Sequence, residues 1–377
     1  MRIGIVDADL IGRKSQRFPN LVCMKIAGYH RNEGDEVELI TEWKKVLCSG
    51  DEYDKIYLSM AFKSTKIPKE VLEVKNLVYG GTGFYYHNAP PLDPEVEHSF
   101  PYYDLYKPWV EAMIASGRKR KEFIWYLDFS IGYTTRGCIN GCEFCVNRDS
   151  KASVRWSRLE EFYDPSRKYI CLLDDNVLAC KHWREIFEEL EATGKKVVYK
   201  QGLDERLLTE EKCHYLFNRL KYYGDYMFAF DNIADRDLIV KKLDLIRKYT
   251  DSEYIKFYLF CGFNHSKPHT YTEDFWAQDI VDLFERIRIL LPYRCYPYVM
   301  RYEDYELSPY RGMYVAIANW CNQPKMFKRQ SLREFAYAKL EEGNKAVLRY
   351  LREYEGKFPA VANKYYDMSW YKYKEGP

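Results

Sequence analysis

Three cysteines within eight residues are the feature that most constrains the fold of this chain. Cys138, Cys142 and Cys145 follow one another in the spacing C-x3-C-x2-C, flanked by Gly137 and Gly141. This spacing brings three thiolates to one point and offers no fourth. Three soft ligands favour an iron–sulfur cluster over a closed structural zinc site, which takes four ligands. One iron of such a cluster has no protein ligand and is open to chemistry.

The stretch from 135 to 147 resembles the signature of the radical S-adenosylmethionine (radical SAM) enzymes, C-x3-C-x-Φ-C, with Phe144 in the aromatic position Φ. The resemblance implies that the three thiolates hold a 4Fe–4S cluster, and that the amine and carboxylate of SAM chelate the fourth iron. It implies further that Phe144 packs near the adenine of SAM. It also implies that one electron, from a donor such as flavodoxin or ferredoxin, splits SAM into methionine and a 5′-deoxyadenosyl radical. A structural metal loop and three unrelated buried thiols are the alternatives.

The composition indicates a large folded chain without a membrane segment. Its 377 residues suffice for two domains, or for one barrel with an appended module, and a hydrophobic content of 47% supports a sizeable core. A mean hydropathy of -0.52, with no apolar run of roughly twenty residues, argues against a membrane span. Eleven cysteines, three of them clustered, do not form the pattern of a secreted disulfide framework. Since an oxygen-sensitive cluster requires a reducing compartment, we expect a cytoplasmic protein.

The first domain, residues 1–85, alternates strand and helix signals in the manner of a parallel α/β sheet. A helix is predicted over 18–34. Repeated βα units of this length predict a doubly wound, Rossmann-like sheet, whose ligands bind beyond the carboxyl ends of its strands. The predicted strands are 3–6, 36–40, 55–59 and 76–79.

This segment resembles the cobalamin-binding domain that many radical SAM proteins carry in front of their barrel. The family pattern is Asp-x-His-x-x-Gly, then Ser-x-Leu, then Gly-Gly, and the matching positions are 7–12, 59–61 and 80–81. Asp9 stands where the cobalt-ligating histidine is expected, and Ala61 stands where the leucine is expected. A vestigial domain used for substrate placement or stability is therefore favoured. Cobalamin binding stays possible, because some relatives bind it without that histidine.

The rest of the chain is predicted to be a linker, a barrel and a tail. Residues 86–125 are expected to form an irregular strap. Between 126 and 320, six short apolar strands recur between helical stretches, which fits the partial (β/α)6 TIM barrel of radical SAM enzymes. A helical, basic and tyrosine-rich region, 321–377, follows, so the predicted fold class is α/β. The six predicted barrel strands are 129–133, 169–173, 196–199, 226–230, 255–260 and 296–300.

Polar residues follow several of these strands, where barrel sites gather. After the second strand come Asp174, Asp175 and Asn176, at the place where the family often has a stretch that receives the SAM amine. A carboxylate there can pair with the ammonium group. A turn with helix-capping Asp and Asn side chains is the alternative.

The third and fourth strands are followed by a second set of candidates. Gln201, Asp204 and Arg206 lie in a stretch that resembles one whose polar side chains meet the ribose and carboxylate of SAM. Arg206 is the expected carboxylate partner because of its planar fork, whereas Gln201 and Asp204 can instead face the substrate. Asp231 offers a carboxylate for the ribose hydroxyls or for a substrate proton, and capping of the next helix is the alternative.

Two of the remaining cysteines are candidate catalytic residues. Cys261 lies at a strand end and Cys321 in Trp-Cys-Asn-Gln. Either thiol can donate a hydrogen atom to a substrate radical, because the S–H bond is weak, and ordinary packing is the alternative. The sequence has no second group of three or four cysteines, so an auxiliary cluster is not expected.

The sequence therefore predicts a radical SAM enzyme that cleaves SAM reductively and abstracts a hydrogen atom from an unidentified small molecule, peptide or nucleic acid. Methyl transfer through cobalamin is one alternative. Modification of a nucleic acid or peptide recruited by the basic tail is another, and a non-catalytic iron–sulfur protein is a third.

Overall fold

The predicted α/β class is confirmed by the computed structural model, which describes residues 1–13, 18–48 and 52–373. The chain divides into two compact units, Met1–Lys200 and Gln201–Pro377. Each unit contains a parallel sheet with helices between its strands. The predicted domain boundaries at 85, 125 and 320 stay predictions.

The first unit begins with a four-stranded parallel sheet in the order β2-β1-β3-β4. All four strands predicted for this region are present. The predicted helix starts three residues later than expected, because the Asn20 side chain accepts hydrogen bonds from the amides of Val22 and Cys23 and caps it there. The strand order reverses between β1 and β3, and the carboxyl ends at such a reversal are where open α/β sheets bind ligands. The elements are β1 (Arg2–Asp7), α1 (Ala8–Gly12), α2 (Leu21–Asn32), β2 (Glu36–Leu39), α3 (Trp43–Cys48), β3 (Lys55–Ser59) and β4 (Leu77–Gly80).

The prediction of an irregular strap over 86–125 is wrong in part, because two helices lie within it and a third begins at its end. These are α4 (Pro94–Glu97), α5 (Lys107–Ala115) and α6 (Ile124–Leu127), and a proline in the first turn starts both α4 and α5. Two buried tyrosines hold this segment in place. The Tyr106 hydroxyl donates to Asp7 Oδ2 at 2.8 Å, and the Tyr103 hydroxyl accepts from the amide of Ile131 at 2.7 Å.

The first unit continues with a three-stranded parallel sheet in the order β5-β8-β9 and a short antiparallel hairpin, β6-β7. The three parallel strands match the first three strands predicted for the barrel, whereas the hairpin was not predicted. The elements are β5 (Phe129–Gly132), β6 (Thr135–Arg136), β7 (Val154–Arg155), β8 (Tyr169–Leu172), α7 (Trp183–Ala192) and β9 (Lys196–Tyr199).

The second unit holds a three-stranded parallel sheet in the order β10-β11-β12, which matches the last three predicted barrel strands. The predicted helical character of the C-terminal region is confirmed as far as residue 373. Within the described residues, no helix is both long and apolar enough to cross a membrane. The elements are α8 (Glu210–Cys213), β10 (Tyr226–Ala229), α9 (Arg236–Tyr249), β11 (Ile255–Cys261), α10 (Glu273–Leu290), β12 (Tyr296–Arg301), α11 (Arg311–Cys321), α12 (Pro324–Phe327), α13 (Leu332–Glu341), α14 (Ala346–Lys357) and α15 (Pro359–Tyr365).

Candidate metal centre

The three clustered cysteines lie in a loop, residues 137–153, that a short antiparallel ladder closes at its base. In this ladder Thr135 pairs with Arg155, and Arg136 pairs with Val154. The ladder begins just after the carboxyl end of β5, so the loop stands at the carboxyl edge of the β5-β8-β9 sheet. We call residues 137–153 the cysteine loop.

A glycine allows the two sides of the cysteine loop to approach each other. Gly137 has a φ of +90°, and a Cβ atom on it would lie 2.2 Å from the carbonyl oxygen of Ala152. Only glycine adopts this conformation without strain and leaves that space open. The next amide, that of Cys138, donates to Ser150 Oγ at 3.0 Å and joins the two sides again.

The thiols of Cys138, Cys142 and Cys145 are half-exposed, and N–H groups donate to the sulfurs of Cys138 and Cys145. Asn176 Nδ2 donates to Cys138 Sγ at 3.5 Å, and the amide of Asn147 donates to Cys145 Sγ at 3.5 Å. Hydrogen bonds of this kind stabilise a metal-bound thiolate and tune the potential of an iron–sulfur cluster. The donor set therefore fits the proposed cluster.

A site for a single metal ion needs three or more ligands around one point. Among the described residues, no three side chains of His, Cys, Asp or Glu lie close enough together to hold one ion. A cluster requires another arrangement, because each thiolate binds a separate iron atom.

Asp175 connects the two sides of the cysteine loop. Its Oδ2 accepts from the amide of Gly137 at 2.8 Å, and its Oδ1 accepts from Asn147 Nδ2 at 2.6 Å. Gly137 directly precedes the first cysteine, and Asn147 follows the last by two residues. The carboxylate thus fixes both ends of the segment that carries the three thiols. Asn147 was missed in the sequence analysis, because nothing in its local pattern indicates such a contact.

Asp174 is buried, and its carboxylate is turned towards the backbone that leads into the cysteine loop. It accepts from the amides of Thr134 and Thr135 at 3.0 and 2.6 Å, and from both threonine hydroxyls. Burial is the largest influence on the Asp174 carboxyl and raises its pKa, while these hydrogen bonds lower it in part. The three residues expected to meet SAM, Asp174, Asp175 and Asn176, all contact the loop or its approach. A contact with SAM stays a prediction.

Phe144, expected near the adenine of SAM, is half-buried within the cysteine loop. Its carbonyl oxygen accepts from the Tyr86 hydroxyl at 3.3 Å. Tyr86 comes from the predicted strap, so that segment also reaches the loop. An adenine contact for Phe144 stays a prediction.

In the second unit, Arg206 makes a two-pronged ion pair with Asp204 of the same short segment. Its Nε donates to Asp204 Oδ1 at 2.8 Å, and its Nη2 donates to Oδ2 at 3.1 Å. The hydrogen bonds to Asp204 are the largest influence on this guanidinium and raise its pKa. The side chain expected to bind the SAM carboxylate therefore binds a carboxylate of this chain. Gln201, the third candidate of this stretch, is exposed.

A buried glutamate beside this pair was missed in the sequence analysis. Glu205 accepts from the amide of Ala229 at 3.0 Å, and burial raises its pKa to about 8. Buried carboxyls with raised pKa values are frequent at functional sites, although they also occur in structural networks. Only its position after a predicted strand could have pointed to it.

Asp231 ties β10 to its neighbour. Its Oδ1 accepts from the amide of Phe260 at 3.0 Å, and burial, the largest influence, raises its pKa. Arg286 Nη1 donates to the carbonyl oxygens of both residues at 2.9 and 2.8 Å. The carboxyl ends of β10 and β11 are thereby joined, and a role for Asp231 towards SAM or substrate stays a prediction.

The two candidate catalytic thiols are core groups. Cys261 is 1% exposed and Cys321 is 0% exposed, and burial raises the pKa of both thiols. Cys261 Sγ donates to the carbonyl oxygen of Met300 at 3.5 Å. The packing alternative accounts for this burial, and hydrogen donation by either thiol stays a prediction.

The residues at the cobalamin-like edge of the first sheet do not fit a cobalt ligand. Asp9 is buried, and its carboxylate accepts from the amide of Ala61 at 2.7 Å and from the hydroxyl of Thr65. It thus ties the turn after β1 to the segment after β3. A Cβ atom on nearby Gly12 would lie 2.7 Å from Thr65 Cγ2, which shows how closely the two segments pack.

Comparison with models of known protein families found no match, and a search of curated proteins found no relative of this chain.

Proposed function

We propose that this protein is a radical SAM enzyme that abstracts a hydrogen atom from an unidentified substrate. In this proposal Cys138, Cys142 and Cys145 hold a 4Fe–4S cluster. The observation that carries the proposal is the cysteine loop itself, which presents three half-exposed thiols at the carboxyl edge of a parallel sheet. Active sites of barrels built from such strands lie at this edge.

The residues around the cysteine loop have roles that follow from their contacts. Asp174 anchors the approach to the loop, and Asp175 holds its two sides together. The N–H groups of Asn176 and Asn147 support the sulfurs of Cys138 and Cys145. When bound, the cluster and SAM supply one electron and the 5′-deoxyadenosyl radical that abstracts hydrogen. The protein's part is to hold these groups and to exclude water and oxygen.

The finer architecture belongs to the same proposal. We propose a partial (β/α)6 barrel, because the number of strands in the two three-stranded parallel sheets equals the six that it needs. The order β2-β1-β3-β4 supports our proposal that this sheet is of the doubly wound, Rossmann-like type. We propose a vestigial cobalamin-binding domain for this sheet, because its ligand position holds Asp9 in an internal contact. A donor such as flavodoxin or ferredoxin is proposed as the source of the electron, in a reducing compartment.

The test is anaerobic reconstitution of the full chain with iron and sulfide. We expect a brown protein whose electron paramagnetic resonance spectrum, after reduction with dithionite, changes when SAM is added. We also expect it to form 5′-deoxyadenosine. Cys142→Ser should lose both signals, whereas the matched control Cys48→Ser, at an exposed cysteine outside the loop, should keep both. A colourless zinc-bound protein, or an intact cluster that forms no 5′-deoxyadenosine, would refute the proposal.

A further inference from the structure

One buried carboxylate joins the base of the cysteine loop to the first sheet and its helices. Glu97, the last residue of α4, is 8% exposed. Its Oε1 accepts from Lys25 Nζ at 2.9 Å, from Trp156 Nε1 at 3.0 Å and from Arg136 Nη2 at 3.3 Å. Three side chains from three different segments therefore converge on one oxygen atom.

The positions of two of these donors matter for the loop. Arg136 belongs to β6 and directly precedes Gly137, and Trp156 directly follows β7. Glu97 thus binds both sides of the ladder that closes the cysteine loop. The Arg136 guanidinium also lies over the Tyr133 ring, 3.6 Å from its centroid, which restricts the direction of this side chain.

The third donor connects this ladder to the first sheet. Lys25 lies on α2, which crosses from β1 to β2, and it is 4% exposed. It also donates to the carbonyl oxygen of Glu97. A buried ammonium needs its counter-ion, because removal of one partner leaves an uncompensated charge in the interior. The pair therefore fixes α4, and the Glu97 carboxylate with it, against α2.

We propose that Glu97 is a positioning residue, which sets the direction in which the cysteine loop leaves the sheet and thereby the placement of its three thiols. The position of the loop does not depend on the proposed function. Only the statement that the three thiols hold a cluster rests on it. Because α2 carries Lys25, the first sheet serves in this proposal to support the cysteine loop.

The first measurement needs no cluster. Hydrogen–deuterium exchange is recorded on the full chain purified without iron, for Glu97→Gln, Trp156→Phe and the matched control Glu95→Gln. Glu95 is exposed on the same helix. In Glu97→Gln we expect amides of the loop, such as those of Cys138 and Cys145, to exchange about tenfold faster, with the β5–β8 amides unchanged. Trp156→Phe removes one N–H and should give a smaller effect in the same segment.

The second measurement uses the reconstituted protein. Glu97→Gln should shift the midpoint potential of the cluster and reduce the spectral change on addition of SAM, and Glu95→Gln should do neither. These readouts report on placement of the thiols and not on folding alone.

Two results would overturn the inference. One is unchanged exchange of the cysteine loop in both Glu97→Gln and Trp156→Phe. The other is faster exchange spread evenly over residues 1–200 in Glu97→Gln, with the loop of Trp156→Phe unchanged. If Glu97→Gln does not fold, Trp156→Phe decides alone. A wild-type chain that binds no cluster, but whose loop still responds to these substitutions, would refute the proposed function and support the positioning role.

Discussion

Removal of the Asp175 carboxylate is the most direct perturbation of the cysteine loop. This side chain accepts one hydrogen bond from Gly137, before the first cysteine, and one from Asn147, after the last. In Asp175→Ala the two sides of the loop lose the group that joins them. We therefore expect the variant to fold and to hold the proposed cluster more weakly.

The size of the effect follows from these two contacts. A hydrogen bond to a charged group contributes about 1.5–3 kcal/mol. Asp175 is only half-buried, so water compensates for part of the loss, and we take about 1 kcal/mol for each bond. The sum of about 2 kcal/mol corresponds to about a 30-fold change in an equilibrium constant. Retention of the cluster should fall by a factor of this order.

The assay measures the transfer of iron from the protein to a chelator under anaerobic conditions. The absorbance of the iron–chelator complex reports the amount of iron lost. Asp175→Asn keeps one acceptor oxygen without the charge and should fall between wild type and Asp175→Ala. The matched control is Asp149→Ala, which removes a carboxylate of the same loop whose side chain is 79% exposed. Wild-type retention in Asp175→Ala, or an equal loss in Asp149→Ala, would refute the reasoning.

Four further outcomes are expected. Gly137→Ala should abolish cluster binding in the chelator assay, because a φ of +90° costs about 1–2 kcal/mol for a residue with a Cβ atom and that atom would meet the carbonyl oxygen of Ala152. Gly141→Ala should keep part of the binding, because the nearest atom to its added Cβ lies at 3.4 Å. The pKa of Glu205 is about 8 in the fold against an ordinary value of 4.5, so the folded chain binds this proton more tightly than the unfolded chain. The resulting contribution to the free energy of unfolding is complete below pH 4.5 and is lost as pH rises through about 8. Urea midpoints should show this fall, and Glu205→Gln should remove it. Cys321→Ala should lower the urea midpoint, because its buried side chain is lost from the core, yet form 5′-deoxyadenosine at the wild-type rate. A slower formation of 5′-deoxyadenosine with the cluster intact would contradict a packing role. Asp9→His should retain no hydroxocobalamin on gel filtration, because the position is enclosed by Ala61 and Thr65, and a bound corrinoid spectrum would contradict this.

The strands of this protein could be predicted from sequence because each is a short apolar run bounded by turn residues. All ten predicted strands are present, four in the first sheet and six in the two three-stranded sheets. The hairpin at the base of the cysteine loop could not be predicted, because strands of two residues show no alternation. Helix α5 was also missed, because the prolines and aromatics around it suggested an extended chain.

The candidate site was predictable in position but not in the direction of its side chains. Polar residues at the carboxyl end of β8 were expected to face a ligand, and Asp174 and Asp175 do lie at this end. Their backbone N–H donors are Thr134, Thr135 and Gly137, which lie about forty residues away in the chain. A sequence pattern shows where a carboxylate stands, but only the fold decides whether ligand or backbone N–H groups satisfy it.

The first sheet shows why a resemblance in sequence does not fix a ligand. A domain that carries a cofactor must leave the cofactor's edge open, whereas a domain that supports a neighbour must complete its contacts with protein. The resemblance places a cobalt ligand at position 9, yet the carboxylate of Asp9 accepts hydrogen bonds from Ala61 and Thr65. Lys25, on the helix that follows, reaches Glu97 and through it the base of the cysteine loop. Both are contacts with protein, and in our proposal they let this sheet support the cysteine loop without a ligand of its own.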